Sequence, residues 1–511
     1  MRKIRTRFAP SPTGMLHIGG IRTALYNYLI AQKYNGDFIL RIEDTDSKRF
    51  VPEAQDYIIR TLNWLKIIPN EGIINGGKYG PYIQSLRSDI YQNYAKILID
   101  NGAAYYAFDT NEELDAMHKR LIETHNSSPQ YNSVTREYMR NSLTLSHKET
   151  EKLINESGKY VIRFKTPKNK IIRYHDIVHG WIKVNSNTLD DKILLKSDGM
   201  ATYHLANVVD DYLMKISHVI RGEEWLPSTP LHVLIYQAFG WENEMPIFVH
   251  LPLLLNPSGN GKLSKRDCYD GEMTIFPLSW WNNEQKRNIL GFKELGFLPE
   301  AIINALSLLG WNPGNNVEIM SLDELIHNFS LEKLCKSGAR FNYEKFKWFN
   351  HHYLLKNYDF NKDIISKLKH EDIKFNLNQI EAVTNIIKER CKLTTDIWEQ
   401  SKIFFYQPQQ YKNDKLTSEQ INKSLNFIKE FINKIHDIPY WTFDTLHTVC
   451  QEYMKNNNLS YTNIMPTFRL ILFGELNGPD VIKSIIILGK EETIKRINNF
   501  IHHVYKEREN T

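Results

Sequence analysis

The first fifty residues switch between the two-residue period of strands and the longer period of helices. Ile4 to Phe8 reads as a short strand. Pro10, Pro12 and Gly14 then break regular structure and force a loop. Beyond it Ile21, Ala24, Leu25, Tyr28 and Leu29 follow the spacing of an amphipathic helix, with Gly36 where a C-cap would fall. Asp37 to Ile42 is a largely apolar run suited to a buried parallel strand. Strand, helix, strand makes a βαβ unit, right-handed by the usual rule. Glu43, Asp44 and Asp46 follow at its carboxyl end, where open α/β sheets bind ligands.

The pattern then changes. Leu86 to Leu98 reads as a helix. The stretch from Thr110 to Lys196 is irregular, with a polar helical piece at Asn111–His125, a strand at Val161–Lys165, and Ile171–His175 placed to pair with that strand. It reads as an inserted α+β domain between two halves of one α/β fold. The fold resumes at Leu194, with a strand at Ile216–Ile220 and a helix at Leu231–Phe239. Past Asp270 the chain reads as almost all helical. Helices are expected at Pro299–Leu306, opened by Pro299 at its first position, and at Leu322–Phe329. Several more follow from Lys362, broken near Pro408, Pro439, Pro466 and Pro479. The run from Arg340 to Tyr353 interleaves basic and aromatic residues. That could stack on RNA, but its aromatic spacing favours a buried helix face.

Composition narrows the class. At 511 residues the chain exceeds one core, and three or more domains are expected. With 42% hydrophobic and 24% charged residues it has the make-up of a globular protein and not of a disordered chain. No apolar run approaches the roughly 20 residues that span a bilayer. Met1 to Arg5 leads directly into the first strand without an apolar or Arg/Ser-rich leader, so a cytoplasmic location is expected. A net charge of +5 permits a local basic face for nucleic acid without demanding one. Cys268, Cys335, Cys391 and Cys450 are far apart with no CxxC, which argues against a zinc site or a disulfide scaffold.

Two short stretches carry the candidate chemistry. His17, Gly19 and Gly20 lie at the start of the first helix, where free N–H groups and the positive end of the helix dipole collect, a setting suited to phosphate. The alternative is a Pro/Gly loop with His17 as an ordinary cap. Lys262-Leu263-Ser264-Lys265-Arg266 follows the flexible Pro257–Gly261 loop and on its own reads as a solvated basic run.

Pro10-Ser11-Pro12-Thr13-Gly14 with His17-Ile18-Gly19, paired with Lys262-Leu-Ser-Lys-Arg, resembles the two nucleotide motifs of class I aminoacyl-tRNA synthetases in their glutamyl and glutaminyl branch. Gly20 stands where the general pattern has a second His. The match extends through Arg41-Ile42-Glu43-Asp44-Thr45-Asp46, Thr202 to Asp211 and Arg221-Gly222-Glu223-Glu224-Trp225. The tail around Arg469, Gly474-Glu475, Gly478-Pro479 and Leu488-Gly489-Lys490 resembles the all-helical end of bacterial-type glutamyl-tRNA synthetases; glutaminyl enzymes carry β-barrels there.

The resemblance implies a Rossmann-like parallel-sheet catalytic domain, an inserted α+β acceptor-binding domain and a mainly α-helical C-terminal half. The expected limits are 1–84 and 197–255 for the catalytic fold, 85–196 for the insertion, 256–340 for the stem-contact region with the lysine loop, and 341–511 for anticodon binding. It implies a monomeric glutamate–tRNA ligase that forms glutamyl-AMP from L-glutamate and ATP with Mg2+, then esterifies tRNA(Glu). His17, Lys262 and Lys265 would be catalytic, acting by electrostatics and positioning. ATP would lie against Ser11, His17, Gly19, Gly20, Glu224, Leu254, Lys262 and Lys265. Glutamate would lie against Arg7, Ala9, Ser11, Glu43, Tyr203, Asn207 and Arg221, with Glu43 on its ammonium. Arg390 would face the anticodon. Some relatives hold zinc near Ala104–Phe108; with no cysteine there, no structural zinc is expected.

Arg221 bears on specificity, because a buried γ-carboxylate needs a cation and glutaminyl enzymes lack arginine at this position. The rival readings are a glutaminyl-tRNA synthetase, a non-catalytic tRNA-binding paralogue, and a truncated relative that modifies tRNA bases. Arg221 with the helical tail, the intact His17 and lysines, and the presence of an anticodon half argue against them in turn. Whether tRNA(Gln) is also charged, and whether tRNA is needed for activation, stays open.

Overall fold

The computed structural model describes residues 2–123, 129–259, 261–263, 273–282, 286–412, 418–436, 438–457 and 459–509. They form two compact units, residues 1–294 with 299–346, and residues 295–298 with 347–511.

The first unit opens with β1 (Arg5–Phe8), α1 (Ile18–Lys33), β2 (Asp37–Leu40), α2 (Pro52–Trp64) and β3 (Glu71–Gly72). β1 and β2 run parallel, Arg5 opposite Asp37 and Phe8 opposite Leu40, and β3 adds to the far side of β2. α1 begins earlier than its apolar period suggests because His17 caps it: the imidazole Nδ1 accepts the Gly19 N–H at 3.0 Å. The helix is also buried on more faces than an amphipathic stripe implies. Its inner polar groups are satisfied by neighbours, Tyr26 Oη donating to the Leu309 carbonyl and Asn27 Nδ2 to Ile220. Gly36 is not the cap. Asn35 takes the left-handed turn at φ 49, and Gly36 lies so close to β1 that a Cβ would meet the Ile4 carbonyl oxygen at 2.2 Å.

Next come α3 (Ser88–Asp100), β4 (Ala104–Ala107), α4 (Asn111–Glu123), α5 (His147–Ser157), β5 (Val161–Phe164), β6 (Ile171–Asp176), β7 (Gly180–Asn185) and β8 (Ile193–Leu195). His125 lies outside the described residues. β4, β5 and β8 make an antiparallel sheet. The expected pairing of Ile171–His175 with Val161–Lys165 does not occur. β6 instead forms a hairpin with β7 and joins β10 in parallel where Phe248 faces Asp176.

The fold resumes with α6 (Tyr203–Leu213), β9 (His218–Gly222), α7 (Thr229–Ala238) and β10 (Ile247–Leu251). The sheet β7-β6-β10-β9 meets β3-β2-β1 edge to edge: the Ser217 N–H donates to the Arg5 carbonyl at 2.9 Å, and Ser217 Oγ accepts the Arg5 N–H at 2.7 Å. The chain thus leaves β1 on one side for β2 and returns on the other as β9, which is where open α/β sheets place their ligand crevice. Side chains from α3, α6, α7, β5, β6, β8, β9 and β10 pack one continuous apolar core.

The unit closes with β11 (Leu254–Leu255), β12 (Trp280–Asn282), β13 (Arg287–Ile289), α8 (Pro299–Ser307), α9 (Leu322–Asn328), β14 (Ala339–Arg340) and the first turn of α10 (Tyr343–Asn357). β12, β13 and β14 are strands in a region that reads as helical, β12 pairing with β13 and β14 with β11. Phe341, Phe346, Phe349 and Tyr353 are buried, so the basic-aromatic run serves mainly as core, although Trp348 is 46% exposed.

The second unit is helical in its described elements: α11 (Phe360–His370), α12 (Leu377–Ile387), α13 (Thr394–Ser401), α14 (Ser418–His436), α15 (Phe443–Asn456), α16 (Tyr461–Phe473), α17 (Val481–Leu488) and α18 (Lys490–Glu509). Pro466 lies inside α16 without ending it. Buried Arg496 ties the unit together, donating to the carbonyls of Ile403, Leu472 and Tyr406 while pairing with Glu492. Among the described residues no helix is long and apolar enough to cross a membrane.

A buried charge network holds the first unit's core elements. Asp211 on α6 takes Arg7 of β1 at 3.1 Å and Arg41, just past β2, at 2.8 Å. Asp210 takes Arg87 at 2.7 Å, Gln84 at 2.9 Å and Tyr91 of α3 at 2.8 Å. Arg41 also reaches Glu43 at 2.9 Å. Burial alone would raise the Asp211 carboxyl, but Arg7 and Arg41 hold it below the usual carboxylate range. Burial likewise opposes the charge of Arg41, and Asp211, Glu43 and Asp210 keep its guanidinium well above its ordinary value. Removing one partner strands buried charge, so Asp211→Asn is expected to cost about 3–5 kcal/mol in equilibrium urea unfolding. A loss below about 1 kcal/mol, the scale of an exposed pair, would contradict that reading.

Candidate active site

A cleft of about 400 Å3 opens at the carboxyl ends of β1 and β9. Its wall brings together Arg7, Ala9, Ser11, His17, Gly19, Gly20, Glu43, Tyr203, Asn207, Arg221, Glu224, Leu254 and Lys262, residues spread over about 250 positions of sequence. Lys265 lies outside the described residues. Arg390 is in the second unit, in a short 3-10 turn after α12, exposed, with Nε donating to Gln400 at 3.1 Å.

The helix end is built tightly. A Cβ on Gly19 would meet the His17 ring at 2.7 Å, and one on Gly20 would meet Leu16 Cδ1 at 2.5 Å. The glycines therefore let the His17 and Leu16 side chains fold over the start of α1, besides any room they leave for a phosphate. The cap reading and the ligand reading of His17 are compatible: Nδ1 accepts from Gly19 while the residue lines the cleft.

The acidic side is equally fixed. Glu43 Oε1 accepts from Arg41 at 2.9 Å and lies 3.4 Å from Asn207 Nδ2. Arg7 reaches the wall already held by Asp211 through two donors.

Arg221, like Arg22 in the same wall, lacks the direct carboxylate partner that Arg7 and Arg41 have. It is 5% exposed, and among the described residues no carboxylate pairs with it. Its partners are neutral groups: Tyr203 Oη at 2.6 Å, Thr229 Oγ1 at 3.0 Å, His250 Nε2 at 3.0 Å and the Trp225 carbonyl at 3.4 Å. Burial lowers the His250 imidazole to about 4, so it is neutral near pH 7 and can accept the Arg221 Nε–H. Burial also depresses His204 to about 4 and His232 well below its ordinary value, and both are repelled further by the positive Arg221. Burial raises the Tyr203 phenol, with Arg221 opposing, so it stays protonated and can donate while it accepts from Arg221. A cation buried among neutral groups is costly unless an anion completes it, and this one lies in the wall of a cleft.

The lysine segment meets the same cleft. Leu255 bridges Lys262 in antiparallel fashion, and the Leu254 carbonyl accepts the Leu263 N–H at 2.8 Å. Lys262 Nζ is 3.5 Å from Glu224 Oε1, with the two side chains 52% and 46% exposed. Such a pair is worth little and is easily exchanged for a more strongly charged partner.

Sequence reasoning assigned no role to Asp176, Asp210, Thr229 or His250. The signal for His250 was visible as one polar residue inside the apolar strand run Phe248 to Leu251, and for Asp176 as a carboxylate closing β6.

Residues 3–348 match the family described as tRNA synthetases class I (E and Q), catalytic domain, and residues 351–501 match an anticodon binding domain. The chain is 50% identical over 498 residues to a glutamate–tRNA ligase of Amoebophilus asiaticus, covering 97% of each chain. It is 48% identical over 502 residues to the glutamate–tRNA ligase of Flavobacterium psychrophilum, covering 98% of this chain and 99% of that one. The crystal structure of a glutamate tRNA ligase from Elizabethkingia meningosepticum in complex with its amino acid superposes with TM-score 0.87 at 44% identity, covering 98% and 99% of the two chains.

Gly19→Ala is expected to push the His17 ring off the helix start and to slow the nucleotide-dependent reaction by about 100-fold, the scale of an ångström-sized misplacement. Steady-state kinetics with a thermal melt checks this. An unchanged rate in a folded variant would show that the ring's seat on α1 is irrelevant to the reaction.

Proposed function

The chain belongs to the class I tRNA synthetases of the glutamate and glutamine branch, and on that premise we propose that its cleft holds L-glutamate beside ATP and joins the amino acid to tRNA(Glu). The observation that carries the choice of glutamate is Arg221, a buried guanidinium in the cleft wall that is held by the neutral groups of Tyr203, Thr229 and His250. A γ-carboxylate supplies the missing charge; the amide of glutamine does not.

The residues divide between two adjoining subsites. Arg221 and Tyr203 take the side-chain carboxylate. Glu43 takes the α-ammonium with Asn207 beside it: Oε1 is engaged by Arg41 and Asn207, and Oε2 has no hydrogen-bond partner among the described residues. Arg7, Ala9 and Ser11 close this side of the cleft. His17, Gly19 and Gly20 seat the phosphates at the N-terminus of α1, where N–H groups and the helix dipole favour an anion. Glu224 and Leu254 face the nucleoside.

In the first step a glutamate α-carboxylate oxygen attacks the α-phosphorus of ATP, the bond to the β-phosphate bridging oxygen breaks, and diphosphate leaves with glutamyl-AMP formed. Charge grows on the departing oxygens. Lys262, moving from Glu224 to the phosphates, and Lys265 with it, stabilise that charge together with His17. In the second step a hydroxyl of the terminal tRNA ribose attacks the acyl carbon and AMP leaves. No side chain need form a covalent intermediate. Mg2+ on the triphosphate would add to the positive charge that Lys262, Lys265 and His17 bring to the departing oxygens.

The division of labour follows the same reading. Residues 1–84 and 197–255 do the chemistry, 85–196 take the acceptor end, 256–340 carry the lysine segment and contact the stem, and 341–511 read the anticodon with Arg390 among the contacts. The protein works as a cytoplasmic monomer.

Aminoacylation of purified tRNA(Glu) and tRNA(Gln) with labelled glutamate and labelled glutamine tests the reading. Glutamate charging of tRNA(Glu) without glutamine charging is expected. Arg221→Ala is expected to raise KM for glutamate by about 100-fold or more, as loss of a charge-assisted pair in a dry site does, with KM for ATP nearly unchanged. Equal losses for both substrates, or charging with glutamine, would overturn the assignment.

A further inference from the structure

Behind the cleft wall, Arg221 rests on a chain of buried groups that ends in a carboxylate. Its Nε–H donates to His250 Nε2 at 3.0 Å, and His250 Nδ1 lies 2.7 Å from Asp176 Oδ2. His250 and Asp176 are both 0% exposed, and neither lines the cleft. Asp176 is itself held: Oδ2 also accepts the His250 N–H at 3.1 Å, and Oδ1 accepts the N–H groups of Val178 and His179, each at 3.0 Å. A carboxylate accepts only, so the His250 proton must sit on Nδ1, and Nε2 is left as a lone pair aimed at the guanidinium.

We propose that Asp176 and His250 form a positioning relay that fixes the tautomer of His250 and, through it, the orientation of Arg221 toward the side-chain carboxylate of the substrate; this rests on the glutamate reading of the cleft. The relay differs from the direct pairing of Arg7 and Arg41. Arg7 and Arg41 touch carboxylates and are largely neutralised by them. Arg221 is separated from Asp176 by one neutral imidazole. The carboxylate is near enough to offset part of the cost of burying a cation, and far enough that the guanidinium keeps its pull on a ligand anion. The geometry of the chain is set by backbone: His250 of β10 lies opposite Arg221 of β9 in the parallel register, and Asp176 ends β6 beside β10. Thr229 Oγ1, accepting Arg221 Nη2 at 3.0 Å and lying 3.2 Å from His250 Nε2, closes the fork from the α7 side.

Two replacements of His250 separate positioning from bulk. In His250→Asn the side-chain amide can still donate to Asp176 but is too short to reach Arg221. In His250→Gln the longer side chain can again place an oxygen against the Arg221 Nε–H. A hydrogen bond to a charged group is worth about tenfold to a hundredfold in affinity, so His250→Asn is expected to raise KM for glutamate by that factor. KM for ATP should stay within twofold, and His250→Gln should recover most of the loss. Thr229→Val, which removes the second acceptor with little change of shape, is expected to raise KM for glutamate alone and serves should a His250 variant fail to fold. The proposal is overturned if folded variants keep the wild-type KM for glutamate, or if both KM values rise together and His250→Gln does not rescue. Failure of the glutamate reading looks different: the unmodified enzyme would then not charge tRNA with glutamate at all.

Discussion

Two adjacent carboxylates on one helix organise the catalytic unit. Asp210 and Asp211 are buried side by side on α6, and three arginines from other segments converge on them: Arg7 of β1, Arg41 after β2 and Arg87 before α3. Buried charges persist only where each is paired, so the strands that carry them are held in one arrangement. Glu43, through Arg41, is fixed by the same network. The acidic side of the cleft is thus a by-product of the core. Against that balanced background Arg221 and Arg22 are buried cations of the cleft wall whose direct partners are all neutral.

The two ends of the cleft work by different physics. At the helix end the positive end of the α1 dipole suits any phosphate and carries no amino-acid identity. At the Arg221 end, on the proposed reading, identity comes from one buried charge. Between them Lys262 rests on Glu224 as an exposed, weakly held pair, which suits a group that must change partners during the reaction.

Much of this is legible in the sequence, for a physical reason. The loop of Pro10, Pro12 and Gly14 and the strand Asp37–Leu40 are local punctuation and local period, which a sequence displays directly. Most of the cleft residues sit at strand ends or helix starts within such segments. Pairing between distant strands is not local. Ile171–Asp176 alternates like a strand, but nothing in its own residues says that it joins β7 and β10 and not β5. Gly36 differs from the helix-cap expectation for a related reason: its need is the close passage of the Ile4 carbonyl, which no helix-end rule contains. His250 and Asp176 were passed over because single polar residues at the ends or middles of apolar strands usually serve packing. Their meaning appears only when Arg221 is set beside them.

On the proposed reading, the cleft is completed by a side-chain negative charge. The most direct measurement is competition between two non-hydrolysable adenylate mimics, glutamyl- and glutaminyl-sulfamoyl adenosine, which differ only in carboxylate against amide at the position facing Arg221. Inhibition constants in the aminoacylation reaction should favour the glutamyl compound by about 100-fold or more, as expected of a site built around one polar partner. Equal inhibition by the two, or a preference for the glutaminyl compound, would contradict the account.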